Sequence, residues 1–144
     1  MPDSGAVDAA LVAKLLGDAT LMALAPGGVY IDEAVAGVTR FLIVSLIDEH
    51  DGPMFNGRAF EDALYLVKYV ERSTSSVNAR AAAARIDALL DPSGAGGTLT
   101  VTGYNLMTMK RDSRLTPMVE VDGVDASIRW QHRGGRYRVM VSPN

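Results

Sequence analysis

Two apolar runs, at residues 39–47 and 60–70, set the strongest constraint on this chain. The first is β-branched and aromatic with little polar content and predicts a strand covered on both faces, and the second predicts a further apolar strand. Neither approaches the roughly 20 apolar residues that a membrane-spanning helix needs. Between them lie Asp48, Glu49, His50, Asp51, Gly52, Pro53, Asn56 and Gly57. That polar, glycine-containing segment predicts the mobile tip, residues 48–58, of a long-armed hairpin.

Helical spacing flanks the hairpin. Val7, Leu11 and Leu15 recur every four residues and predict a helix over 7–16, with Leu16 widening the stripe and Gly17 ending it. Residues 1–5 carry no such pattern and are expected to be flexible, and the start lacks the basic stretch of a signal peptide. Asp18 fits the N-cap of a second short helix carrying Leu21, Met22 and Leu24. Pro26, Gly27 and Gly28 stop that helix ahead of a short extended piece at 29–31. After the hairpin, residues 77–90 predict a helix with a narrow alanine-rich stripe of Ala79, Ala82, Ala83, Ile86 and Leu90, suited to close approach to a sheet.

The glycine-rich connector 91–97 is too short to separate two domains. Strands are expected at 98–102, at 104–110 beyond a bulge at Gly103, and at 119–121. A final hairpin is expected from 124–133 and 136–141 about a turn at Gly134 and Gly135. The order predicts a single α+β domain over residues 1–144. Its mostly antiparallel sheet is packed by an N-terminal helical segment and the central alanine-rich helix.

Composition narrows the chemistry. Of 144 residues, 48% are hydrophobic and 22% charged, an ordinary globular mix, so wholesale disorder, collagen and low-complexity architectures are excluded. With no cysteine there is no thiolate nucleophile or thiolate metal site, and with only His50 and His132 a multi-histidine centre is excluded as well. The glycine pairs precede strands rather than helices, and no following Lys-Ser/Thr makes a phosphate loop. The cluster Asp48, Glu49, His50, Asp51 has the spacing of no calcium loop and reads as a solvated tip. We therefore expect no catalytic residues, no cofactor and no metal. Charge is uneven: positions 1–96 hold seven basic and thirteen acidic residues, a net −6, and positions 97–144 hold seven basic and four acidic, a net +3. Such polarity suits copies that meet acidic patch to basic patch.

If Gly134 and Gly135 turn the last hairpin, Ile128, Trp130, His132, Tyr137, Val139 and Val141 share a core-like face. Arg129, Gln131, Arg133, Arg136 and Arg138 then share the other face. His132 reads as a satisfied core histidine and Trp130 as a core anchor. A ladder of arginines is either a charged edge that resists aggregation or a surface for an acidic or phosphate-bearing partner. The candidate interface residues are thus Asp48, Glu49, Asp51, Met54, Phe55 and Arg58 at the tip, with Arg129, Arg133, Arg136 and Arg138 on the hairpin. An overall pI near 5.3, with no aromatic residues between those arginines on their own face, argues against a nucleic-acid-binding surface.

Four stretches carry a resemblance over nearly the whole chain: DAALVAKLLGDATLMAL at 8–24 running on to Gly28-Val29-Tyr30, GRAFEDALY at 57–65, RIDALL at 85–90 and WQHRGGRYRV at 130–139. Together and in this order they resemble the tail-completion, or tail-terminator, proteins of long-tailed bacteriophages. The chain departs from that family at Arg40-Phe41, where a Pro–aromatic pair often opens the first long strand. The resemblance implies a structural virion protein assembled in the host cytoplasm. It implies a ring, typically of six copies, that caps the tail tube and joins the head connector, or neck. The implied partners are further copies of itself, the tail tube protein and neck proteins, with DNA only passing through a ring lumen and no membrane. A head–tail adaptor or another minor tail component would share these features, and a small-molecule-binding α+β domain is the remaining alternative.

Overall fold

A computed structural model describes residues 5–54 and 57–144, with the side chains of 53–59 left aside. The chain opens with helices α1 (Gly5–Leu16) and α2 (Ala19–Leu24), followed by strands β1 (Val29–Ile31), β2 (Arg40–Met54) and β3 (Gly57–Arg72). Helix α3 (Val77–Leu90) and a single 3-10 turn (Pro92–Gly94) lead into β4 (Tyr104–Arg114), β5 (Met118–Val121) and β6 (Arg129–Pro143). The strands form one sheet in the order β1-β2-β3-β6-β4, with β5 pairing to β6 on the same side as β4. Among the described residues only β1 runs parallel to its neighbour, and every other pair is antiparallel. This is an α+β fold with a mostly antiparallel sheet. No helix among the described residues is long and apolar enough to cross a membrane.

The helices cover one face of the sheet. Leu11, Leu15 and Leu21 are fully buried against Leu42 and Val44 of β2 and Val67 of β3. Each such leucine stabilises the fold by about 1.5–3 kcal/mol relative to exposure. The alanine stripe of α3 lets it lie close to β6, with Ala79, Ala82, Ile86 and Leu90 buried and Ala83 at the margin.

Three buried tyrosines fasten the layers, one to each helix. Tyr65 donates to Asp8 of α1 at 2.5 Å, Tyr69 to the Leu24 carbonyl of α2 at 2.9 Å, and Tyr137 to Asp87 of α3 at 3.1 Å. Burial, reinforced by Asp87, raises the Tyr137 pKa far above the ordinary phenol value. A phenol can bury its ring only where its hydroxyl finds a partner, and these three meet both demands.

Several expectations need correction. Leu16 points to solvent instead of widening the α1 stripe, and helix α1 already begins at Gly5. The expected loop at 48–58 is largely strand: β2 and β3 stay paired out to Met54 and Gly57, with irregularities after Leu46 and after Gly52. Polar side chains are tolerated there because beyond Val44 this part of β2 is a sheet edge, where charge is an asset. For the same reason Leu46 and Ile47 are exposed, not covered on both faces. Residues 98–102 form no strand, although Val101 is buried. Gly103 sits in a turn at φ +82°, and the strand irregularities of β4 fall instead around Met107 and Asp112.

The largest correction concerns Gly134 and Gly135. They make no turn; β6 passes straight through them, pairing Gly134 with Lys68 and Gly135 with Val67. A Cβ on Gly134 would stand 2.1 Å from the Val67 carbonyl oxygen. Glycine is there because two backbones crowd together, which a sequence reader mistakes for turn chemistry.

Candidate assembly surfaces

Straightening β6 changes which side chains share a face. Alternation now puts Trp130, His132, Arg136 and Arg138 on the helix-free face, and Arg129, Gln131, Arg133, Tyr137 and Val139 on the helix side. The expected arginine face is therefore split. Arg138 is held by Asp62 at 2.8 Å with Asp112 at 3.7 Å, and the Asp62 carboxylate raises its pKa further above the ordinary value. Arg129 donates to the carbonyls of Ala126 and Ile128. Arg136 makes no ion pair among the described residues, and Arg133 enters a cleft on the helix side. Of the candidates on the hairpin arm, Asp48 and Asp51 are exposed on β2. Asp48 accepts from His50 Nε2 at 2.7 Å and from the Glu49 amide at 3.0 Å. Phe55 and the side chains of Met54 and Arg58 lie outside the described residues.

The helix-free face carries a groove of about 460 Å³. Its floor is Ile43, Leu66 and Val70, its walls are the 32–38 loop and Trp130, and its polar end holds Lys68, Glu120 and His132. Trp130 is half-buried here, not a core anchor; it meets Phe41 edge-on and donates to Asp122 at 3.0 Å. His132 is 7% exposed and lines this groove, so it is buried as expected but away from the helix-side core. Lys68 Nζ lies 3.3 Å from Nδ1; because an ammonium only donates, Nδ1 accepts and the ring proton sits on Nε2, 4.0 Å from Glu120. Burial, and behind it the Lys68 ammonium, lowers the His132 pKa below the ordinary value.

The second concavity is a cleft of about 620 Å³ between α3 and the β4–β6 edge. Four arginines line it: Arg80 from α3, Arg111 and Arg114 from β4, and Arg133 from β6. Only Arg111 has a carboxylate, Asp87, at 3.1 Å. Among the described residues Arg80, Arg114 and Arg133 make no ion pair, whereas Arg40, Arg85 and Arg138 all do. The sequence did not disclose this group because its members come from three elements. The signal was present only in part: Arg80 and Asp87, two turns apart, mark one side of α3.

Asp91 fixes the cleft's β4 wall. Buried after α3, it accepts from the amides of Gly96 and Arg111, both at 2.9 Å, and those bonds hold its carboxyl below the usual range. Outside the cleft, Arg85 of α3 clasps Asp18 with two hydrogen bonds of 2.8 and 2.6 Å while Asp18 caps α2. The Arg85 hydrogen bonds chiefly hold the Asp18 carboxyl below the usual range. Among the described residues no group of three His, Cys, Asp or Glu is placed to hold a metal ion.

No protein-family model matches the chain, and no curated protein matches it. Among solved structures it is similar to a chain in the virion of a native gene transfer agent particle, at 25% identity and a TM-score of 0.64. That likeness covers 95% of this chain and 96% of the other. A second solved chain superposes at a TM-score of 0.61 over 100% of both chains but with 15% identity, a likeness of fold alone.

Proposed function

We propose that this protein is a structural component of a phage-type virion that closes into a ring on the end of the completed tail tube and offers the joining surface to the head connector. The observation that carries the reading is the end-to-end likeness to a chain of a gene transfer agent virion. The sequence phrases that resemble tail-completion proteins narrow it to the tail end. The distribution of charge supports ring closure. An acidic stretch of β2 and an arginine cleft beside β4 lie toward opposite sides of one sheet, so copies meeting through them join head to tail. A structural role, without catalysis or cofactor, belongs to the same reading, as do six copies per ring.

Negative-stain imaging of the purified protein, with tail tubes and separately with head connectors, tests this. A ring seated on tube ends is the expected result. Binding to connectors with none to tubes would instead assign a head–tail adaptor, and binding to neither would end the virion-joint reading.

A further inference from the structure

Resting on the ring reading above, we propose that the arginine cleft receives the acidic β2 edge, Asp48 to Asp51, of a neighbouring copy. Three arginines, Arg80, Arg114 and Arg133, line one concavity, and none of them makes an ion pair among the described residues. Like charges brought together cost free energy unless something anionic offsets them. The cleft's own Asp87 is already committed to Arg111. An anionic guest is what the site lacks.

The guest's chemistry follows from the same chain. Residues 48–51 carry three carboxylates along a strand edge whose last backbone bond to β1's side is Asp32 N–H to the Val44 carbonyl, so beyond Val44 that edge has no strand neighbour among the described residues. The acidic edge belongs to β2, on one side of β3, and the cleft to β6, β4 and α3, on its other side. Contact between them therefore joins two copies through unlike surfaces, the geometry that closes into a ring. A cleft of about 620 Å³ admits a few side chains and a strand edge but not the breadth of a nucleic-acid duplex. Arg is the fitting host because its planar fork grips a carboxylate with two parallel bonds.

Charge reversal tests the pairing. The variants are R80E/R114E in the cleft, D48K/D51K on the edge, and all four together in one chain. Assembly is followed by sedimentation as a function of protein concentration, with thermal melting as the check on folding. Arg80 and Arg114 are exposed, so the cleft variant should melt like the wild type. Each pair alone should raise the concentration needed for assembly at least tenfold, and the four-fold variant should recover most of that loss. The chain has no cysteine, so R114C and D51C chains can also be mixed; a disulfide between them, and not within either alone, is expected. Assembly of both charge variants at the wild-type concentration, with no mixed disulfide, would overturn the pairing and leave the ring reading standing. A wild-type chain that assembles neither alone nor on tail tubes would overturn the ring reading first. If R80E/R114E assembles normally but loses salt-sensitive binding to a short DNA duplex, the cleft belongs to nucleic acid and the proposal falls.

Discussion

His132 shows how a single buried ring links packing to pH. Its neutral form is favoured in the folded state, by burial first and by Lys68 second. The folded pKa therefore lies below the unfolded value of about 6.5. As pH falls through that ordinary value the unfolded chain takes up the proton first, so stability is lost on acidification and regained as pH rises. Unfolding midpoints measured from pH 8 to pH 5 should fall for the wild type and fall less for His132→Gln. A parallel decline in both would remove His132 as the cause. The sequence implies a satisfied core histidine, but Nε2 is buried without a hydrogen-bond partner among the described residues. Its burial was legible; its partner Lys68, sixty-four positions away, was not.

Among the elements, those governed by local chemistry were legible and those governed by neighbours were not. Helix α3 has the bounds its alanine stripe implies, and Asp18 caps α2 through the Leu21 amide at 2.9 Å, because capping and periodicity act within a few residues. Strand β6 failed for the opposite reason. The close approach of β3 at Gly134 is a fact about residue 67, which no local pattern contains. That misreading also scattered the candidate arginines, since moving a turn exchanges the faces of everything beyond it. Gly134→Val tests the central-strand placement. At a hairpin turn it would mainly disturb the turn; within β6 its side chain must push β3 away, costing about 1–3 kcal/mol. A lowered denaturant midpoint with an unchanged slope is the expected result, and an unchanged midpoint would contradict the central-strand placement.

At the scale of the whole molecule, the uneven charge of the sequence takes a spatial form. The acidic side chains Asp48 and Asp51 stand on an open strand edge, and the basic excess of the last third gathers partly in a cleft with Arg80. The polarity was legible from the residue order; the cleft was not, because α3, β4 and β6 meet only after folding. If the protein ends a tail, its copy number must follow the number of tube ends and not the amount of tube. Quantitative mass analysis of complexes on tubes of two different lengths measures this directly. The account predicts one fixed number of copies per tube end, six for the ring proposed, at both lengths. A number that grows with tube length, or no retention on tubes at all, would contradict it.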